Sequence, residues 1–234
     1  IEALKNIAPL MPPGEEDANC RYQLALAYRE TGKDKAAAEK FADLMYNYPR
    51  SKISRKTAEE EREFISHNID FPFDVIQSME ELDGMFREGK FTEARSRMED
   101  YLKQNPDTRF REALEYGILN MRLYENQDFE SSLDDFQDHL DKYPEGPTSK
   151  DAAGMVEKLA DILSVEDRLA EDPDNPAINQ ESGFLLLRNR FNDLAEKRLL
   201  KAAEDPHYTD AIWGLGFVYQ RKNEPEKAFE AWER

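Results

Sequence analysis

Chemistry in this 234-residue chain would have to rest on three histidines, one cysteine and 50 acidic side chains. His67, His139 and His207 lie far apart, and none belongs to a His-x-x-x-His pair that would set two imidazoles on one helical face for zinc. Cys20 is alone, so no internal disulfide forms and cysteine usage leaves the compartment open. Asp134, Asp138 and Asp141 share a helical face beside His139. Such a row can hold a cation, but it lacks the glycine and oxygen spacing of an EF-hand loop and reads as a solvated acidic stripe. Thr31-Gly32-Lys33 carries the Gly-Lys pair of a phosphate loop, yet Ala27 stands where that loop needs glycine and Asp34 where it needs Ser or Thr. Gly32 therefore reads as a turn glycine. With no nucleophile, base and orienting group in a recognisable arrangement, no catalytic, cofactor-binding or metal-binding residue is assigned, and the chain is not read as an enzyme.

The charge balance narrows the partners. A net charge of −18 argues against nucleic acid, whose phosphates need clustered Lys and Arg, and against an anionic membrane surface. No apolar run approaches the roughly 18 residues of a membrane-spanning helix, so this stretch is not expected to insert in a bilayer. Charged residues make up 35% and hydrophobic residues 39%, low for one large core. Stacked units that each bury a stripe against their neighbours fit that composition. Protein or peptide partners remain.

The elements that would position any site are helical hairpins. Leu24-Ala25 with Tyr28, a turn at Thr31-Gly32-Lys33, and Ala37 with Phe41 precede Pro49. The cadence returns with Ala94 and Met98 before Pro106, Ser132 and Phe136 before Pro144, and Leu194 and Arg198 before Pro206; the small-residue slot lies twelve residues ahead of the proline each time. In the fourth unit Glu181-Ser182, Leu194 and Arg198 depart from the pattern, which predicts a non-standard packing there. Leu215-Gly216 with Tyr219, then Ala228 with Trp232, gives a further unit, its small residues letting two helices approach and its aromatics filling the space. The step from Leu194 to Ala228 is 34 residues and that from Ala94 to Ser132 is 38, with four residues inserted around Asp107–Arg111. Steps of 57 and 62 leave room for extra helices over Ile53–Ile65 and Lys150–Leu163, in a doubled arrangement covering 18–108 and 113–208.

These spacings resemble the tetratricopeptide repeat, a 34-residue helix–turn–helix unit. The resemblance implies an all-α fold, a right-handed superhelix (α-solenoid) of such repeats with extra inter-repeat helices. On that reading residues 1–13 are the tail of a preceding helix, 14–108 and 109–208 are repeat segments each with an inserted helix, and 209–234 is a partial repeat. Ile1 and Trp232-Glu233-Arg234 both read as edges of a longer chain. Phe41 with Tyr48-Pro49-Arg50-Ser51 is similar to repeats of bacterial envelope proteins, notably the outer-membrane assembly lipoprotein and the Tol–Pal coordinator. Asp167–Pro176 resembles repeats of cytochrome-c maturation proteins. The implied role is a non-catalytic scaffold for protein partners in a periplasmic or envelope-associated complex. A cytosolic peptide-binding adaptor or secretion chaperone, and a regulatory portion of a larger enzyme, are the alternatives.

In that family first helices line the concave wall. Helical spacing puts Tyr22, Leu26 and Arg29 there in the first repeat and Met79, Asp83, Phe86 and Arg87 in the second. Gly117, Met121 and Tyr124 follow in the third, then Trp213, Phe217 and Gln220 in the last. Aromatic, Met and Arg side chains make anchor pockets for extended or helical segments. The same side chains also suit packing against neighbouring repeats, and Trp213 lies at the edge of the chain.

Overall fold

The computed structural model describes Glu2, residues 14–49 and residues 51–233. The preceding-helix tail expected over 1–13 lies outside the described residues, Glu2 apart. Among the described residues 14–233, every regular element is an α-helix. In chain order these are α1 (Glu15–Glu30), α2 (Asp34–Asn47), α3 (Lys52–Glu60), α4 (Arg62–Asn68), α5 (Phe73–Arg87), α6 (Phe91–Gln104) and α7 (Arg111–Asn126). They continue with α8 (Phe129–Lys142), α9 (Ser149–Glu171), α10 (Pro176–Arg188), α11 (Asn192–Ala202), α12 (Thr209–Arg221) and α13 (Pro225–Glu233). The described residues are all-α, as expected, and built of helical hairpins, and the two long gaps hold helices: α3 and α4 in the first, the single long α9 in the second.

One backbone feature marks all five hairpin turns. Gly32, Gly89, Gln127, Arg190 and Asn223 each sit in the left-handed region, with φ between 53° and 74°. In four of these turns the next residue's N–H reaches back five positions, as in Lys33 to the Tyr28 carbonyl at 3.1 Å and Glu224 to the Tyr219 carbonyl at 2.9 Å. A left-handed residue with that bond closes the open carbonyls of the first helix and redirects the chain into the second. Glycine takes this conformation without steric cost at positions 32 and 89; Gln127 and Arg190 take it against their preference.

Counting from the left-handed residue aligns the hairpins. Nine residues beyond it lie Phe41, Met98, Phe136, Leu199 and Trp232; five beyond it lie Ala37, Ala94, Ser132, Ala195 and Ala228. This corrects the fourth unit. Its packing pair is Ala195 and Leu199, both fully buried, rather than Leu194 and Arg198. The facing small residue is Gly183, where a Cβ would come within 2.6 Å of Leu199 Cγ. The unit is regular after all; its tail to Pro206 is one residue shorter than in the others.

The chain divides into two compact units, residues 1–126 with 138–152, and residues 127–137 with 153–234. In the first, α1 and α2 close on Ala25, Ala37 and Ala38, all with no exposure, and Phe41 fills the space beside Tyr22, ring centroids 5.6 Å apart. Ser51 caps α3, its Oγ accepting the Ser54 N–H at 3.1 Å, directly after Pro49 has prevented α2 from continuing. The insertion around Asp107–Arg111 serves to bury Phe110 against Tyr46 and Phe71, at 4.7 and 6.1 Å. In the second unit, Asn175 caps α10 by accepting the N–H groups of Ala177 and Ile178, with Pro176 in the first turn where no N–H is needed. There α10 packs on α11, α11 on α12 and α12 on α13. Lys222, in the last turn, ties back to Asp193 and Glu196 on α11 at 2.7 and 2.6 Å, and those carboxylates hold its ammonium well above the ordinary lysine range.

Candidate functional site

Helix α12 is apolar on two faces. Ala211, Gly214, Leu215 and Val218 are buried, while Asp210, Trp213, Phe217 and Gln220 follow one another along a second stripe at helical spacing. On α13, Ala228 and Ala231 pack inward and Phe229 and Trp232 lie on the adjoining stripe. Gly216 decides how the two stripes meet, because a Cβ there would run into the Trp232 indole. With only hydrogen at that point the indole lies across α12, and its Nε1 donates to the Trp213 carbonyl at 3.3 Å. Phe217 stands edge-on to both indoles, 4.5 Å from Trp213 and 5.7 Å from Trp232, a geometry that aromatic quadrupoles favour. The outcome is an ordered aromatic surface open to solvent. Trp213 is 57% exposed, Phe229 60% and Trp232 40%.

The same wall is closed in the first hairpin. Counted from the left-handed turn, Tyr22, Leu26 and Arg29 are the counterparts of Trp213, Phe217 and Gln220. Tyr22 is buried, and Lys56 of α3 reaches over its ring with Nζ 5.3 Å from the centroid. Leu26 packs on the core. Arg29 pairs with the buried Glu61 between α3 and α4, and its guanidinium lies 4.6 Å over the Phe64 ring. Met79 and Met121 are likewise buried in the core of the first unit. The expectation that Tyr22, Met79 and Met121 face a ligand is thereby corrected, because the chain's own helices cover them. Phe86 and Tyr124 are half-buried, edge-on to each other at 4.9 Å and in contact with Phe91. Arg87 is exposed beside Arg55, Glu80 and Asp83 in an open, polar cleft. Of the expected wall residues in the second unit, Trp213, Phe217 and Gln220 do share a surface. Phe229 was missed, although an aromatic pair three residues apart beside the alanine pair Ala228 and Ala231 already marks α13 as apolar on two faces.

A second concavity lies in the first unit, a cleft of about 170 Å³ between the turn at Tyr48-Pro49 and that at Pro147-Thr148, with Ala113 and Tyr116 along its wall. Both turns are anchored by a carboxylate from the start of a first helix. The Tyr48 hydroxyl donates to buried Asp17, which also takes the Arg21 guanidinium at 2.9 Å. Burial first, and the Asp17 bond second, push the Tyr48 phenol up to about 12. On the other side Glu112 accepts the Thr148 N–H at 2.8 Å and its hydroxyl at 2.7 Å. Since that hydroxyl gives its one proton to Glu112, it accepts from His139 Nε2 at 2.8 Å. Burial holds His139 below the ordinary imidazole value in spite of Glu112 and Glu115. These groups bind one another and fasten turns; the cleft has room for one apolar side chain. His67 and His207 are exposed, the latter bonded to Asp205 at 2.8 Å. Thr31 caps the end of α1 through the Ala27 and Tyr28 carbonyls, in keeping with a turn at Gly32.

A family model for the tetratricopeptide repeat matches residues 20–51, which cover most of α1, all of α2 and the turn as far as Ser51. No curated protein matches the chain. The first hairpin is a tetratricopeptide repeat, and the four that follow also turn on a left-handed residue. Repeats of this kind point to protein–protein interaction, and proteins built of them are in general scaffolds without catalysis. No described helix is long and apolar enough to cross a membrane.

Proposed function

We propose that this protein is a non-catalytic scaffold that holds protein partners, and that the aromatic surface of α12 and α13 is one of its docking faces. The observation that carries the reading is the exposure of Trp213, Phe229 and Trp232 on two packed helices. Large aromatic side chains held rigidly at a surface lose little freedom when a partner covers them, which is why such residues dominate binding energy at interfaces. A photo-crosslinking residue placed at Phe229 in the full natural chain tests it in cells. A defined protein adduct, absent when Trp213 is also replaced by alanine, is the expected result. Adduct formation that ignores Trp213, in a protein of unchanged helicity, would count against the face.

The setting we propose is a bacterial cell envelope, in an assembly or secretion complex. Support comes from the Tyr48-Pro49-Arg50-Ser51 turn, whose likeness to repeats of envelope proteins has a physical basis: proline stops α2 and serine caps α3. Fractionation of the full-length protein tests this part, and a purely cytosolic pool would overturn it while leaving the scaffold reading intact.

A further inference from the structure

We infer that the face formed by α12 and α13 takes a basic amphipathic helix from a partner protein. This rests on the scaffold reading above and names the chemistry of what is held.

The first argument is internal to the molecule. On the first hairpin the equivalent wall is covered by a helix, α3, which begins Lys52-Ile53-Ser54-Arg55-Lys56. Ile53 packs against the core, and Lys56 places its ammonium over Tyr22. A short helix with an aliphatic anchor and a cation over an aromatic ring is thus the occupant that this wall accepts where it is filled. A cation over an aromatic face is attracted by the ring quadrupole.

The second argument is charge. Asp210 continues the Trp213–Phe217 stripe, and Glu226 and Glu230, with Glu233, run beside Phe229 and Trp232. All four carboxylates are exposed, and none has an ion-pair partner among the described residues. The nearby cations are already engaged: Lys227 with Glu224 at 2.6 Å, and Arg221 with the Leu187 carbonyl. An aromatic surface framed by unpaired carboxylates favours a partner that presents aliphatic side chains flanked by Lys or Arg, and repels an acidic one.

Trp213 and Trp232 are the two tryptophans of the chain, so all indole emission comes from this face. The probe is a synthetic amphipathic helix of Leu and Lys, set against an isomer in which Glu replaces Lys. The Leu/Lys peptide should shift the emission saturably to the blue and bind about tenfold or more tightly than the Leu/Glu peptide. Anisotropy of labelled peptide should show a loss of similar size for Trp213→Ala with Phe229→Ala, and for Glu226→Gln with Glu230→Gln, each with helicity unchanged. Equal binding by the aromatic double variant would mean bulk attraction to the −18 charge and would overturn the inference. So would equal binding of the Leu/Glu peptide, emission changes caused by self-association, or indoles already shielded from acrylamide in the full natural chain. If the Leu/Lys peptide fails while the Phe229 crosslink persists, the helix chemistry is wrong and the scaffold stands. If both fail, the face is not a docking surface.

Discussion

Replacing Tyr48 by Phe removes one hydroxyl and tests how the first repeat is closed. That hydroxyl donates to Asp17, whose side chain is 3% exposed and keeps only Arg21 once the phenol is gone. Losing a hydrogen bond to a buried carboxylate costs about 1.5–3 kcal/mol, so a loss near 2 kcal/mol is expected at pH 7. The alkaline limb provides a second, independent magnitude. Tyr48 is raised from its ordinary 10.0 to about 12, and an acid that holds its proton more tightly when folded stabilises the fold below its unfolded value. Stability should therefore be complete below pH 10 and drain as pH rises from 10 towards 12. The full shift is worth about 2.7 kcal/mol, nearer 2 once the partly wet edge of the ring is allowed for. The two figures have different origins. Burial penalises the phenolate without helping the phenol, so the alkaline loss contains a contribution that Tyr48→Phe does not remove at neutral pH. Urea unfolding followed by circular dichroism at 222 nm, for wild type, Tyr48→Phe, Asp17→Asn and the double variant, measures both. The cycle should return a coupling of about 1–2 kcal/mol. A loss at pH 7 below about 0.5 kcal/mol, the size of an ordinary surface change, together with alkaline limbs that run parallel in wild type and variant, would refute the reasoning.

Four further changes probe other links. Gly216→Ala should push the Trp232 indole off α12, costing about 1–3 kcal/mol of overpacking and moving the tryptophan emission to the red; an unchanged spectrum would show that the indole does not rest there. Gly32→Ala meets no neighbouring atom, so its cost of about 1 kcal/mol in a urea melt is purely that of φ near 69°, and Arg190→Gly, at φ 68°, should raise stability by a few tenths of a kcal/mol or more. His139 is held below its unfolded value, so the unfolded chain binds the extra proton first and stability should fall as pH drops below about 6.5; His139→Gln should flatten that part of the curve of Tm against pH.

Helical repetition was legible in the sequence because it rests on local spacing. A small residue with a large apolar one four positions later recurs in the second helices, at intervals that helices pairing in antiparallel fashion require. The prolines after second helices and the serine at position 51 announce helix ends through backbone chemistry that needs no neighbours. The turns were harder to read. Gly32 and Gly89 declare a left-handed residue, whereas Gln127 and Arg190 do so only once their φ angles are seen. The fourth repeat was therefore registered from its proline and came out one residue early, until Gly183 against Leu199 placed it. The candidate face depended on tertiary structure most of all. Periodicity assigns Tyr22 and Trp213 to the same wall of equivalent hairpins, and it does so correctly. What else lies on that wall is a non-local matter. α3 covers Tyr22, whereas among the described residues Trp213 stays open, because a helix's own sequence records which side chains share a face and not which other element comes to rest upon it.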